Sequence, residues 1–160
     1  MNRIGFGTDI HRLEAGLPLF LGGVEIESER GAVGHSDADA LSHAITDAIL
    51  GALALGDIGS HFPNSDERWR NAESFVFLKY VVGLVTEHGY VICNVDSVVT
   101  LEMPKLQPYV ERIRESLASV LAVEKECVSV KAKTNEGLAD VGRSEAILAE
   151  AIVLIERLSG

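Results

Sequence analysis

The sequence has few of the residues that build disulfide frameworks, thiolate metal sites or nucleic-acid-binding surfaces. It contains only two cysteines, Cys93 and Cys127, which stand far apart and form no Cys-x-x-Cys pair; this argues against both cysteine-based arrangements. Lysine and arginine number 14 against 24 aspartates and glutamates, and the net charge of −10 disfavours binding to a nucleic-acid backbone. The same charge would repel a phosphorylated substrate unless cations intervened.

Long hydrophobic runs are also missing. No apolar run reaches the roughly 18 residues that a membrane-spanning helix needs. The first ten residues show neither a signal peptide nor a transit peptide, so we expect a cytoplasmic protein that binds no membrane. The chain has no repeat or linker, and its 160 residues are enough for one hydrophobic core. We therefore expect a single domain over residues 1–160.

Alternating polar and apolar residues predict four strand-forming regions. They are NRIGFGTDIHRL, the hairpin LPLFLGGVEI that turns at Gly22 and Gly23, YVICNVDSVVTLE and CVSVKAKT. The ending EAILAEAIVLIERL fits a helix by propensity and a buried strand by apolar density, and the pattern leaves both open. Together with three predicted helices, these strands indicate an α+β or α/β fold with two layers.

Three segments have the periodicity of helices. The first spans residues 37–53, which Ser36 and Asp39 would open as a capping box. The second starts near Asn71 as its cap and stops at Gly89, and the third begins with the proline of PYVERIRE. Between the first two helices, DIGSHFPNSDERW is rich in turn-forming residues and predicts a loop. The first helix has an apolar stripe formed by Leu41, Ile45, Ala48, Ile49 and Ala52.

A candidate metal site combines the first strand with the first helix. Asp9 and His11 stand two apart on the strand, so their side chains face the same side, and His43 lies on the helix. Two imidazoles and one carboxylate suit Zn²⁺ and leave its fourth position open for substrate or water, as in catalytic sites. Asp39 and Asp47 flank His43 at helical spacing, and we favour Asp47 as the acceptor for its second ring N–H. The alternative is that these are unrelated polar residues on exposed faces.

A second signal concerns phosphate. His35 and Ser36 stand at the predicted start of the first helix, where free N–H groups and the helix dipole attract anions. The alternative is that Ser36 is an ordinary helix cap. Asp57, Gly59 and Asp66 in the predicted loop are candidate substrate ligands, although Asp and Gly are also common turn formers. The residues alone leave both alternatives open.

Five sequence blocks resemble one enzyme family. RIGFGTDIHRL, GHSDADALSHAITDAILGALALGDIG, FPNSD, NVDSVVTLEMPKL and VKAKTNEGL occur in this order over nearly the whole chain. Together they resemble the 2-C-methyl-D-erythritol 2,4-cyclodiphosphate synthases, lyases of the non-mevalonate isoprenoid pathway. The resemblance implies a homotrimer of α+β subunits, each with a mixed β-sheet that carries helices on one face. It also implies that the ambiguous C-terminal segment is a strand.

The resemblance implies an intramolecular phosphoryl transfer. In 4-diphosphocytidyl-2-C-methyl-D-erythritol 2-phosphate, the 2-phosphate attacks the β-phosphorus, closes a cyclic diphosphate and expels CMP. Because both partners are anionic, the barrier is dominated by charge repulsion and alignment, which metal ions and fixed geometry lower. The reaction needs no protein nucleophile.

The same resemblance assigns roles to individual residues. Asp9, His11 and His43 would bind Zn²⁺, and Glu136 would bind Mg²⁺ or Mn²⁺ that bridges the α- and β-phosphates. His35 and Thr134 would stabilise the transition state, and the substrate-binding residues would be Ser36, Asp57, Ile58, Gly59, Phe62, Pro63, Asn64, Ser65, Asp66, Leu101, Glu102, Met103, Pro104, Lys105, Leu106, Gln107, Lys133, Asn135, Asp140 and Arg143.

The family architecture implies that each active site lies between two subunits.

The sequence departs from the family pattern at three positions. Thr8 and Asp140 stand where many relatives carry Phe, and Asn64 where many carry Asp. These differences leave the expected zinc ligands unchanged. Two functions from other classes would fit the same residues: a metal-stabilised module that binds a cytidine nucleotide without turnover, and a zinc phosphohydrolase that uses water in place of the internal phosphate.

Overall fold

The computed structural model describes residues 1–63, 65–69 and 72–158. A five-stranded sheet has the strand order β4-β1-β7-β5-β6, and a separate hairpin pairs β2 with β3. The strands are β1 (Asn2–Ala15), β2 (Leu19–Leu21), β3 (Val24–Ile26), β4 (Arg30–Ala32), β5 (Tyr90–Thr100), β6 (Val128–Lys133) and β7 (Ala146–Arg157). The helices are α1 (Ala40–Leu53), α2 (Ile58–His61), α3 (Ser74–Glu87), α4 (Val110–Leu121) and α5 (Ala139–Gly142).

The five-stranded sheet is mixed. β7 pairs antiparallel with both β1 and β5, and β6 pairs parallel with β5. The chain is therefore α+β, with helices packed on a mixed sheet, as expected. The C-terminal segment that the pattern left open is the central strand β7. Its residues Ile147, Val153 and Ile155 are fully buried on one face, while Ile152 on the other face is exposed.

Two glycines allow α1 to lie directly on β1. A Cβ atom at Gly5 would stand 1.7 Å from the carbonyl oxygen of Ala48, and one at Gly7 would stand 2.1 Å from that of Ala44. Any side chain at either position would therefore displace the helix. The predicted apolar stripe of α1 is buried as expected. This close contact holds the first strand and the first helix, which carry the candidate metal ligands, against each other.

The predicted start of α1 is wrong. The helix begins at Ala40, and its N-cap is Asp39, whose carboxylate accepts a hydrogen bond from the Ser42 amide at 2.9 Å. Ser36 lies outside the helix, where its hydroxyl oxygen accepts from the Ala38 amide at 3.2 Å. Ala38 has a φ of 55°, which is the left-handed conformation and cannot continue a right-handed helix. His35 and Ser36 are therefore not at the helix N-terminus.

The other predicted boundaries agree in part. The hairpin at Gly22 and Gly23 is confirmed. The predicted loop contains α2 and a 3₁₀ turn over Glu67–Trp69, because the Asp57 side chain caps one helical turn through the Ser60 amide. Asn71, the predicted cap of the second helix, lies outside the described residues, and α3 begins at Ser74. The third predicted helix is a 3₁₀ turn over Gln107–Tyr109 followed by α4.

The helices cover one face of the sheet and leave the other open. The open face carries the exposed apolar side chains of Ile4, Phe6 and Ile10 on β1 and Ile152 on β7. Over the described ranges, no helix is both long and apolar enough to span a bilayer.

Candidate active site

Three potential metal ligands converge as the sequence predicts. Asp9 Oδ2 lies 2.8 Å from His11 Nε2 and 3.1 Å from His43 Nδ1, and the two ring nitrogens are 3.3 Å apart. Ligands bound at about 2.0 to 2.2 Å to a tetrahedral Zn²⁺ stand roughly 3.3 to 3.6 Å from one another. To reach these separations, the observed triangle needs to expand by about half an ångström or more along its shortest edge and by less along the other two. One carboxylate oxygen and two imidazole nitrogens are also the donors that zinc prefers, so the residues fit the ion.

His11 is oriented by the backbone next to it. Its Nδ1 lies 2.9 Å from the carbonyl oxygen of Val33, which can only accept, so Nδ1 carries the proton. The other ring nitrogen, Nε2, is thereby directed to the side of Asp9 and His43, where it offers a lone pair when the ring is neutral. This second contact is typical of metal-ligating histidines. This contact could not be predicted from residue types, because the acceptor is a backbone carbonyl that any residue carries.

His43 has different partners from those expected. Its Nε2 lies 2.8 Å from the hydroxyl of Ser74 and 3.2 Å from that of Ser36. The expectation that Asp47 accepts from this nitrogen is wrong, because Asp47 Oδ1 accepts instead from the Ile58 amide at 2.7 Å. Asp47 does lie one helical turn from His43, as its spacing predicts, but its carboxylate bonds the backbone amide at the start of α2.

Asp39 has a structural role and does not bond the His43 ring. It is fully buried, and its two oxygens accept from the Gly22 and Gly23 amides at 3.0 and 2.8 Å. They also accept from the amide and the hydroxyl of Ser42. With four donors, the buried charge is compensated, and Asp39 joins the β2–β3 turn to the start of α1.

The electrostatics of the ligand triad keep Asp9 ionised. Burial disfavours its charged form, but hydrogen bonds and charge from His11 and His43 outweigh burial and lower the Asp9 pKa to about 2. Burial likewise opposes the charged form of His11, yet the neighbouring Asp9 carboxylate raises the His11 pKa above its ordinary value. Burial raises the pKa of Asp47. An anionic oxygen is thus fixed beside two imidazoles, which favours a cation between them.

A cavity of about 360 Å³ opens beside the triad. Of the residues predicted to contact substrate, His35, Ser36, Ile58, Gly59 and Phe62 line it. His35 Nε2 is buried with no hydrogen-bond partner among the described residues, so it is available to a ligand. The sequence did not assign a role to other residues that line this cavity, namely Val33, Gly34, Trp69 and Phe77. The aromatic residues Trp69 and Phe77 could have indicated a cavity wall, but aromatic residues at such spacing are equally common in a hydrophobic core.

The loop residues around α2 have local roles that also fit turn formers. Asp57 accepts from the amide and hydroxyl of Ser60 at 2.8 and 2.7 Å, and these hydrogen bonds lower its pKa. Asp66 pairs with Arg68 at 2.6 Å. Pro63 and Ser65 are exposed, while Asn64 lies outside the described residues. Asp57 is exposed, Asp66 is half-buried and paired with Arg68, and neither is among the residues that line the cavity.

The predicted nucleotide-binding residues come together at one edge of the sheet. The parallel strands β5 and β6 end side by side, with Thr100 paired to Lys133, so the loops that follow them are neighbours. Glu102 accepts from the Asn135 amide at 3.1 Å, and the Thr134 hydroxyl donates to Glu136 at 2.9 Å. The contact between Glu102 and Asn135 joins the two groups of predicted residues, while that between Thr134 and Glu136 lies within the second group. The groups are Leu101, Glu102, Met103, Pro104, Lys105, Leu106 and Gln107 after β5, and Lys133, Thr134, Asn135 and Glu136 at the end of β6 and after it.

These loops do not reach the cavity beside the metal ligands. The cavity is formed by residues between Asp9 and Phe77, and no residue of 101–143 lines it in the part of the chain described. Met103 and Pro104 line a separate cavity of about 640 Å³. The two halves of the predicted site therefore stand apart within one chain.

Asp140 and Arg143 lie on the short helix α5 and beside it. The Arg143 guanidinium donates to Asp140 and, at 3.3 Å, to Glu145. Both side chains are exposed, and Asp140 lines a third cavity of about 430 Å³ together with His11. Neither residue lines the cavity beside the triad.

Comparison with known proteins places this arrangement in a family. The sequence profile described as the YgbB family matches residues 2–156. The chain is 52% identical over 155 residues to 2-C-methyl-D-erythritol 2,4-cyclodiphosphate synthase of Syntrophomonas wolfei, covering 97% of this chain and 99% of that protein. It is 53% identical over 156 residues to the enzyme of the same name from Chloroherpeton thalassium, covering 98% and 99%.

A solved structure shares the fold. The structure of a 2-C-methyl-D-erythritol-2,4-cyclodiphosphate synthase in a CDP-bound form superposes with a TM-score of 0.90 at 44% identity. The match covers 96% of this chain and all of that one. The family profile, both relatives and this structure agree over nearly the full length. The chain therefore belongs to the YgbB family, together with these 2-C-methyl-D-erythritol 2,4-cyclodiphosphate synthases.

Proposed function

We propose that this protein converts 4-diphosphocytidyl-2-C-methyl-D-erythritol 2-phosphate to 2-C-methyl-D-erythritol 2,4-cyclodiphosphate and CMP. The observation that carries the proposal is the convergence of Asp9, His11 and His43 beside a cavity in a chain of this family. In the reaction, a bond forms between an oxygen of the 2-phosphate and the β-phosphorus. The bond from the β-phosphorus to the oxygen it shares with the α-phosphate breaks, and CMP leaves.

Asp9, His11 and His43 would hold Zn²⁺. When bound, Zn²⁺ supplies a Lewis acid that polarises a phosphate oxygen and offsets the negative charge on the reacting groups. The chain supplies orientation through His35, whose buried Nε2 has no partner among the described residues and is free to bond a phosphate oxygen. Phe62 on the cavity wall excludes water from the same space. Positioning and charge compensation are what an attack of one phosphate on another requires.

Glu136 would hold the second cation, Mg²⁺ or Mn²⁺. Its carboxylate is exposed and accepts only one hydrogen bond, from Thr134, among the interactions of the described chain. Mg²⁺ commonly binds through one or two carboxylates together with substrate phosphates and water, and it needs no full protein cage. In this role Thr134 would lie next to the α-phosphate. Lys105 would lie beside the cytidine end of the substrate.

The protein would act as a homotrimer. The open face of the sheet, with Ile4, Phe6, Ile10 and Ile152, exposes apolar area that a second copy could cover. A three-fold ring places different surfaces of neighbouring chains in contact. This arrangement would bring the loops after β5 and β6 of one chain to the metal cavity of its neighbour. It would thereby join the two halves that stand apart within one chain.

Release of CMP tests whether the protein is an enzyme. Wild-type protein incubated with the diphosphocytidyl substrate and Mg²⁺ should release CMP, measured by chromatography. A chelator of Zn²⁺ should stop the release, and added Zn²⁺ should restore it. His43→Ala should lower the rate by about 1000-fold or more, since a Lewis acid contributes several kcal/mol and about 1.4 kcal/mol equals tenfold.

A matched histidine variant controls for the substitution itself. His88 is exposed at the end of α3, and its ring contacts only the Leu84 carbonyl among the bonds of the described chain. His88→Ala should release CMP at the wild-type rate. Binding of the substrate with no CMP released under any condition would favour a nucleotide-binding module. Full activity in chelator would contradict the metal assignment.

A further inference from the structure

Ser74 contacts the metal-ligating imidazole from the side opposite the ligand triad. It is the first residue of α3 and is fully buried, and its hydroxyl oxygen lies 2.8 Å from His43 Nε2. His43 Nδ1 faces Asp9 and His11, so the ring bridges the triad and the start of α3. Ser74 and His43 stand 31 positions apart in the sequence, and this spacing did not indicate the contact.

The direction of this hydrogen bond is fixed by Asp37. The Ser74 hydroxyl donates to Asp37 Oδ1, and the Ser74 amide donates to Asp37 Oδ2 at 2.9 Å. A serine hydroxyl can donate one hydrogen bond, and the Ser74 hydroxyl donates it to Asp37. The remaining lone pairs of the Ser74 oxygen can only accept, so the proton between Ser74 and His43 belongs to His43 Nε2.

Asp37 is itself held by the backbone on two sides. Its Oδ1 accepts from the Asp39 amide at 3.2 Å, and its own amide donates to the Ala72 carbonyl at 3.1 Å. Ser36 also lies near His43 Nε2, but at the longer distance of 3.2 Å, and its oxygen accepts from Ala38 as well. Ser74 is therefore the closer acceptor for the His43 ring.

We infer that Asp37 and Ser74 are positioning residues that keep His43 protonated on Nε2 and direct its Nδ1 lone pair at the metal ion. The inference rests on the proposed function, because it presumes that Asp9, His11 and His43 bind zinc. It assigns to Asp37 and Ser74 the role that a carboxylate or carbonyl commonly plays for metal-ligating histidines. Here the acceptor is a hydroxyl polarised by a carboxylate, so removing either member should weaken metal binding.

Zinc affinity of the metal-free protein tests the inference, measured by competition with a chromophoric chelator. Ser74→Ala and Asp37→Asn should each weaken zinc binding by about 10- to 100-fold, as loss of such partners does elsewhere. Ser74→Thr retains the hydroxyl and should recover most of the affinity. Ser97→Ala is the control, because Ser97 is also buried and loses one hydrogen bond, to the Ser129 carbonyl at 2.8 Å, away from the site.

Imidazole NMR supplies a readout that a general loss of stability would not change. In the zinc-loaded wild-type protein, the His43 Nε2–H proton should be observed and protected from exchange with water. In folded Ser74→Ala it should exchange rapidly, and in Ser97→Ala it should stay protected. If Ser74→Ala does not fold, the zinc affinity of Asp37→Asn and the protection of the His43 Nε2–H proton in the wild-type protein test the inference.

The outcomes separate this inference from the proposed function. Zinc binding by wild-type protein, with equal affinity in Ser74→Ala or Asp37→Asn, would overturn the inference and leave the function intact. An unprotected Nε2–H in the wild-type protein would overturn it as well. Failure of the wild-type protein to bind zinc would overturn the proposed function itself.

Discussion

The two histidines of the candidate metal site are oriented by different acceptors. His11 donates from Nδ1 to the Val33 carbonyl at 2.9 Å, and His43 is held through Nε2 by the Ser74 hydroxyl at 2.8 Å. As a result, one ring offers Nε2 and the other offers Nδ1 to the same point. Asp9 completes the set with a carboxylate that remains ionised because its pKa is about 2. The donor set is thus fixed before any ion binds, which lowers the reorganisation that binding requires.

Glu136 provides a prediction that separates the two cations. Mg²⁺ prefers hard oxygen ligands, while the triad with its two imidazoles prefers Zn²⁺. Glu136→Gln should therefore lose most CMP release and the dependence of its rate on Mg²⁺. It should retain about one zinc per chain, measured by elemental analysis of unchelated protein. Loss of zinc in this variant would show that the division of roles is wrong.

Residue type and spacing indicated the triad as one of two alternatives, and the family resemblance selected it, but neither predicted the residues that support it. Asp9 and His11 follow from strand alternation, and His43 from the resemblance and the helix that carries it. Val33 and Ser74 could not be predicted, because their contacts arise where distant segments meet. Asp47 was misassigned for the same reason: its neighbour on the helix is His43, but the Ile58 amide from α2 takes its oxygen.

The contact between β1 and α1 determines how closely the ligands approach. A Cβ at Gly7 would lie 2.1 Å from the Ala44 carbonyl oxygen, which is backbone and cannot rotate away. Gly7→Ala should push α1 off the strand, lower the free energy of unfolding by about 1 to 3 kcal/mol, and weaken zinc binding. Chemical denaturation and chelator competition measure the two effects.

Gly83 is the control for this substitution. It lies within α3, and a Cβ there would meet no atom within 4 Å. Gly83→Ala should leave zinc affinity unchanged and stabilise the protein by up to about 1 kcal/mol, because alanine is the better helix former. Equal stability and equal zinc affinity in Gly7→Ala and wild type would contradict the role given to the close contact.

At the level of elements, the sequence predicted types better than boundaries. Strand β1, the β2–β3 hairpin and the cores of the three long helices follow from their periodicity. The start of α1 was placed too early, because Ser36 resembles a cap while the left-handed Ala38 prevents helix before Asp39. The identity of β7 could not be settled by pattern. A central strand between β1 and β5 is apolar enough to resemble a buried helix.

Two features of the whole molecule have no evident role within a single chain. The sheet leaves an apolar face open, and the loops after β5 and β6 lie apart from the metal cavity. A trimer with shared sites would account for both. The sequence alone could not predict this arrangement, since the separation of the two halves along the chain is equally compatible with a site inside one subunit.

Mixed trimers test the shared site. His43→Ala removes the metal half, and Thr134→Ala combined with Lys105→Ala removes the nucleotide half. Unfolded and refolded together at equal amounts, the two inactive proteins should recover roughly a quarter of the wild-type CMP release, because a quarter of randomly formed sites combine two intact halves. Each protein refolded alone is the control and should stay inactive. No recovery, with mixed trimers verified by mass, would rule out the shared site.

The most direct test of the proposed reaction is the identity of its product. Wild-type protein with Zn²⁺ and Mg²⁺ should be incubated with 4-diphosphocytidyl-2-C-methyl-D-erythritol 2-phosphate, and the products followed by ³¹P NMR. The proposed reaction predicts two coupled resonances of a cyclic diphosphate and one resonance of CMP, which grow in equal amounts. Appearance of CMP with an open-chain product that carries separate phosphate monoesters at its 2- and 4-positions would mean that water attacks the β-phosphorus. That result would contradict the cyclisation and make the protein a phosphohydrolase.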